Sequence, residues 1–261
     1  MKIYSGTGNT FLIFDNRDGK IKEKDKSNFV SDVYAKNREK VDGVIFLERS
    51  KTYAFFMSFY NNDGTKAAFC GNGARCITYY AYKNHIAPKR MVFDSLAGVV
   101  EAEVLNDNLV KIKMPKVKDI ELNKVYNCNG KTFNYSFVNT GVEHVVIFVD
   151  RELTDEEVLN YGREIRYNKM FPKGTNVNFT RILGKGKLFN RTYERGVEAE
   201  TKACGTGATA CAVIYSKLYG YTGEVEVNVL GGKLLVKMDK NYNNIYLIGE
   251  VKILKGGKND F

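Results

Sequence analysis

A chain of 261 residues with 44% hydrophobic and 13% aromatic content can bury one large core or two of ordinary size, which excludes a disordered or fibrous protein. The formal charge of +10 admits polyanions and small anionic substrates alike, but no aromatic-basic motif of the RNA-recognition type is present, so no nucleic-acid partner is expected. No apolar run approaches bilayer length, and the five cysteines (Cys70, Cys76, Cys128, Cys204, Cys211) form no Cys-x-x-Cys pair, which reads as a soluble cytoplasmic protein with reduced thiols and no membrane partner.

In chain order, residues 18–28 (DGKIKEKDKSN) alternate in charge and read as a solvated loop, and residues 27–34 as a first helix. Residues 52–60 (TYAFFMSFY) are strand-like, and residues 69–76 (FCGNGARC) lead into a helix over 74–83. Residues 98–115 follow as a hairpin broken at LNDN, and residues 136–150 (SFVNTGVEHVVIFVD) return to strand. TDEE opens a helix over 154–163 with a capping signal. Residues 203–211 (ACGTGATAC) then repeat the earlier phrase and run into a helix over 207–218, with strands at 224–238 and 244–254 closing the chain. Both helices that follow Cys-Gly-x-Gly are apolar on more than one side, as a helix wrapped by sheet would be. The layout predicts a duplicated α/β (α+β) unit, with the first copy ending near Pro115.

Two such turns suit a particular chemistry. A helix N-terminus offers N–H groups and the positive end of a dipole to an anion, and the same setting lowers a cysteine's pKa from about 8.5 toward about 3.5–7.5. Paired across a cleft, one cysteine can ionise while the other stays a thiol, because two thiolates repel. The thiolate would take an α-proton from one face of an amino acid and the thiol would deliver one to the other. Amides at Gly71, Asn72, Gly205 and Thr206 would meet the charge developing on the carboxylate.

The blocks GTGNTF (6–11), NNDGTKAAFCGNGARC (61–76), NTGVEH (139–144), GTNVNF (174–179) and YERGVEAETKACGTGATA (193–210) resemble, in order and spacing, the signatures of the diaminopimelate epimerase family. The resemblance implies two pseudo-symmetric domains, each a barrel-like, mostly antiparallel sheet around a central helix, with 1–115 completed by about 249–261 as the first half and 116–248 as the second. It implies a cofactor-independent isomerase with no metal, converting LL- to meso-diaminopimelate for lysine and peptidoglycan precursors, and it leaves a homodimer open. Cys70 and Cys204 match the proton-transfer pair, Gly71, Asn72, Gly205 and Thr206 the loops around the reacting carboxylate, and Asn9, Asn61, Asn176, Glu194 and Arg195 the substrate-recognition set. Within that set Arg195 suits a distal carboxylate and Glu194 an ammonium. His144 matches a histidine beside the site, in a role left open.

The chain departs from the family at Val142-Glu143, where Asn-Pro is common, and at Thr10, where Asp is common. The first change touches the end of the site far from the reacting carbon, so lanthionine, or histidine as in the histidine racemases on this scaffold, remain alternatives. A thiol redox or small-anion-binding protein is the non-enzymatic alternative, although Cys-x-x-Cys is missing. GTGNTF lacks the third glycine of a dinucleotide fingerprint, two histidines support zinc poorly, and no lysine is singled out for pyridoxal phosphate. Cys76 and Cys211 are expected in the core, Cys128 in a hairpin and His85 in solvent.

Overall fold

The computed structural model describes residues 2–36, 40–128 and 130–254, and of Cys128 only the main chain. The chain divides into two compact units, Met1–Ile112 with Gly249–Phe261, and Lys113–Ile248; residues 255–261 lie outside the described residues.

In the first unit, β1 (Ile3–Gly6) turns into β2 (Asn9–Asp15), and α1 (Lys26–Lys36) leads to β3 (Gly43–Glu48) and β4 (Phe56–Asn61). The short β5 (Lys66–Ala67) precedes α2 (Gly71–Lys83), and β6 (Arg90–Ser95), β7 (Gly98–Val104) and β8 (Leu109–Lys113) form a meander. The last strand, β17 (Ile245–Leu254), pairs with β1 and with β8. Because β2 runs parallel to β3 and β4 parallel to β6, with the other joints antiparallel, eight strands close a ring in the order β1, β2, β3, β4, β6, β7, β8, β17.

The ring is filled by α2, which contacts β1, β2, β3, β4 and β7, and every residue from Asn72 to Tyr79 is buried. Gly6 is where β1 crosses the start of this helix: a Cβ there would stand 2.7 Å from the Asn72 carbonyl oxygen. Outside the ring, Val30 and Val33 of α1 pack on Leu12, Val44, Phe46 and Tyr60. Each is fully buried and contributes about 1.5–3 kcal/mol.

The second unit repeats the plan. β9 (Lys118–Cys128) pairs with β10 (Lys131–Asn139), and β11 (Glu143–Phe148), α3 (Asp155–Arg166), β12 (Asn176–Gly184), β13 (Lys187–Glu194) and the short β14 (Ala199–Thr201) follow. Then come α4 (Gly205–Tyr219), β15 (Val225–Val229) and β16 (Gly232–Met238). The pairing senses match step for step: β10–β11 antiparallel, β11–β12 parallel, β12–β13 and β13–β14 antiparallel, β13–β15 parallel and β15–β16 antiparallel. The first unit shows the same series from β1 to β7. α4 is buried as α2 is and contacts β10, β11, β12, β13, β15 and β16. α3 lies outside and sets Val158 and Ile165 against Val145, Ile147, Val177 and Phe179.

Both central helices start earlier than the apolar pattern predicts, at Gly71 and Gly205, because the glycines after each cysteine already belong to the first turn. The charged run at 18–28 is not wholly a solvated loop. Its end forms a 3-10 turn (Glu23–Asp25) and the start of α1, with Lys26 1% exposed and its ammonium 2.6 Å from both Glu23 and Glu48. Glu48 lies on β3, so the partner that makes this burial affordable is invisible in the local pattern.

Candidate active site

In the first unit, β1 and β2 are joined by Thr7 and Gly8, both at positive φ, and the turn presents Asn9 at the start of β2. Cys70 is the N-cap of α2, in extended conformation, and its Sγ accepts the Gly73 N–H at 3.4 Å. The first turn of a helix carries N–H groups that the helix itself cannot satisfy, and here they belong to Gly71 and Asn72. The Asn72 side-chain amide donates to Asn9 Oδ1 at 2.9 Å, so two expected substrate contacts form one cluster with the cysteine turn. Asn61, at the end of β4, is held elsewhere: its amide donates to Thr65 Oγ1 at 2.9 Å within the turn that begins β5.

The second unit places Cys204 as the N-cap of α4, again extended, with Sγ accepting the Gly207 N–H at 3.4 Å and lying 3.4 Å from Thr206 Oγ1. Gly205 and Thr206 form the first turn. Glu194, at the end of β13, accepts from Thr201 Oγ1 at 2.8 Å and is hydrogen-bonded to Cys204; burial raises its pKa. Asn61 and Glu194 therefore end matching strands of the two units.

Glu194 and Arg195 do not pair. The Arg195 guanidinium reaches Glu143 Oε2 at 2.9 Å and the Lys173 carbonyl at 2.7 Å, while its main-chain N–H donates to Asn176 Oδ1 at 2.9 Å. The Asn176 amide donates to the Glu143 carbonyl at 3.0 Å, which locks Glu143, Asn176 and Arg195 together.

His144 pairs with Asn176 across β11 and β12 and is fully buried. Asn178 fixes its tautomer. The Asn178 oxygen accepts from Thr192 Oγ1 at 2.9 Å and from Asn190 at 3.3 Å, so its NH2 faces His144 Nδ1 at 3.1 Å and makes that nitrogen the acceptor. The proton then sits on Nε2, which has no hydrogen-bond partner among the described residues. Burial, with the Arg195 charge added, pushes its pKa down to about 3 and keeps the ring neutral.

Cys76 and Cys211 are fully buried in α2 and α4, and His85 is exposed. The Cys128 side chain lies outside the described residues. Glu143, Arg75, Thr201 and Asn178 hold the expected residues in place. Glu143 and Asn178 stand out locally as polar side chains within β-rich runs, whereas Arg75 and Thr201 carry no such signal.

A helix N-terminus capped by a cysteine sulfur, twice over, on two copies of one barrel-and-helix plan, is a fold that solved structures share. A PhzF-family phenazine biosynthesis protein from Bacillus anthracis superposes with TM-score 0.74 at 12% identity, covering 100% of this chain and 98% of that one. A hydroxyproline epimerase from Agrobacterium vitis gives TM-score 0.69 at 12% identity, covering 97% and 88%. At such identities the likeness is one of fold.

Sequence similarity is more particular. The diaminopimelate epimerase family pattern matches residues 1–120 and 136–254. The diaminopimelate epimerases of Hydrogenobaculum sp. (41% identical, 97% of this chain and 96% of that one), Aquifex aeolicus (39%, 96% and 94%) and Thermotoga maritima (41%, 95% and 97%) match almost end to end. The chain belongs to the diaminopimelate epimerase family, and it is an isomerase of the amino-acid epimerase type.

Proposed function

We propose that the protein interconverts LL- and meso-diaminopimelate without a cofactor, by proton transfer between Cys70 and Cys204 through the α-carbon of the substrate. The observation that carries this reading is the doubled cap: each cysteine precedes a buried helix by one residue and takes the N–H three residues on. A sulfur acceptor at a helix N-terminus is stabilised as thiolate. One sulfur removes the α-proton as thiolate, the other delivers a proton to the opposite face as thiol, and the two exchange charge in the turnover. The enediolate-like charge on the carboxylate meets the N–H groups of Gly71, Asn72, Gly205 and Thr206. Oriented donors of this kind are worth roughly 3 kcal/mol each.

The two units then serve as the two halves of the enzyme, each supplying one cysteine. Asn9, Asn61 and Asn176 recognise polar groups of the substrate, Glu194 an ammonium, and Arg195 the distal carboxylate. His144, neutral and buried, supports the site as a hydrogen-bonding group and not as a charge. The Glu143–Arg195 pair favours diaminopimelate over a histidine substrate, because the distal end of diaminopimelate is itself a zwitterion and can meet a carboxylate and a guanidinium together. The product fits a cytoplasmic step toward lysine and peptidoglycan precursors.

The test is solvent deuterium exchange. Diaminopimelate, lanthionine and histidine are each incubated with the purified protein in deuterated buffer. Label is expected at the α-carbon of diaminopimelate, fastest among the three, with no added cofactor. Exchange on histidine alone would transfer the assignment to a histidine racemase, and exchange on none would refute the reading.

A further inference from the structure

Beneath the first cysteine turn lies a group that the proton transfer has not used. Arg75 is 0% exposed, inside the first unit's ring of strands. Its Nη2 donates to Asn72 Oδ1 and Thr7 Oγ1, both at 2.8 Å, and its Nη1 reaches the Gly71 carbonyl at 3.5 Å. All three acceptors are neutral, and among the described residues no carboxylate pairs with it. Its Nε has no hydrogen-bond partner among the described residues. Burial brings the guanidinium pKa down to about 10, which still leaves a cation at neutral pH. A buried cation without a counter-ion is expensive, so its position calls for a reason.

The helix supplies one. Arg75 stands five residues after Cys70, and long helical side chains bend back toward the helix N-terminus. That bend brings the guanidinium to Gly71 and Asn72, the two residues that follow the cysteine. The negative charges that couple to it are those Cys76 and, less strongly, Cys70 would carry as thiolates. Cys76 is fully buried, and burial pushes its thiol far above the ordinary value, so it stays neutral. Tyr4 on β1 also faces this part of α2, and burial holds it up at about 12, uncharged. Asp15 of β2 couples to Tyr80, further along the helix, and is bound by Arg17. What remains for the Arg75 charge is Cys70.

The other unit is built differently at the same step. α4 carries Thr209 five residues after Cys204, and its hydroxyl donates back to the Gly205 carbonyl at 2.9 Å. Cys204 instead has the Glu194 carboxyl beside it. A fixed cation favours a thiolate, and a neighbouring carboxylate opposes one.

We propose that Arg75 is the counter-charge of the Cys70 thiolate: a positioning residue that orients Asn72 and makes Cys70 the ionised cysteine of the ligand-free protein, with Cys204 resting as the thiol. This rests on the reading of Cys70 and Cys204 as the proton-transfer pair, and it breaks the symmetry between two otherwise matching turns. In the ligand-free state Cys70 is then the base, so the first proton it can take is from the face of the substrate it meets.

The test follows alkylation of each cysteine by iodoacetamide in the full-length protein, read by peptide mass spectrometry between about pH 5 and 10. The midpoint is compared, not the rate, because the two sulfurs differ in exposure. The natural protein is expected to show a lower midpoint for Cys70 than for Cys204. Arg75→Gln should raise the Cys70 midpoint by about one unit or more and leave that of Cys204 in place, while Arg75→Lys should keep it low. Cys204 ionising first in the natural protein overturns the proposal, as does an unmoved Cys70 midpoint in folded Arg75→Gln. If Arg75→Gln does not fold, the order in the natural protein decides. A low Cys70 midpoint in a protein that exchanges no α-proton would refute the epimerase reading and leave the assignment of the counter-charge standing.

Discussion

The Arg195 guanidinium is already engaged by Glu143, so a substrate carboxylate must share or displace that partner. Arg195→Ala is expected to weaken binding of a dicarboxylate substrate by roughly 10–100-fold, the worth of a charged hydrogen bond, and that of a monocarboxylate far less. KM measured for both decides it, and equal losses would argue against a distal-carboxylate contact. Glu143→Gln separates the two charges in another way: it should cost affinity for diaminopimelate and spare an analogue that lacks the distal amino group. His144 yields a pH prediction. Its folded pKa, about 3, lies below the ordinary value of 6.5, so under acid the unfolded chain takes up a proton that the native state refuses. Its contribution to stability is complete above about pH 6.5 and falls as the pH drops toward 3. Urea midpoints between pH 7 and 4 should therefore decline less steeply in His144→Gln than in the natural protein; parallel declines would refute it.

At the scale of elements, the central helices tolerate little change where they approach the sheet. A Cβ on Gly207 would stand 2.5 Å from Asn178 Oδ1, the atom whose bonds from Thr192 and Asn190 orient the His144 partner. Gly207→Ala is expected to lose several kcal/mol of stability and most activity together. The outer helices are separable from function. Thr154 and Glu157 form a complete capping box on α3, so Thr154→Ala should cost about 1 kcal/mol in a denaturation experiment and leave turnover unchanged. That box was legible as TDEE, because a cap is a local signal. The central helices were legible from their all-round apolar character. Lys26 was not, and neither was the Glu143–Arg195 pair, since each depends on a partner far along the chain: Glu48 for one, and a residue 52 positions away for the other. Arg75 lies within the first Cys-Gly-x-Gly phrase, yet its burial is not legible there, because a helix sequence does not state whether an arginine faces water or the inside of a ring.

Across the whole molecule, the duplication was visible in sequence only at the two Cys-Gly-x-Gly phrases, whereas the order and sense of strand pairing repeat through each unit. Backbone hydrogen bonds and buried faces preserve such a plan while side chains diverge, so the signal survives where chemistry constrains it. The divergence is local to the helix starts: Arg75 stands where the second unit has Thr209, and Cys204 has the Glu194 carboxyl beside it, so the two similar turns have unlike charge environments. The proposed mechanism requires two sulfurs to serve one carbon. Its most direct test is the rate of LL-to-meso epimerisation of diaminopimelate by Cys70→Ser and Cys204→Ser, each checked for native folding. Both are expected to lose epimerisation by at least about 100-fold. Full turnover in either one would contradict the mechanism.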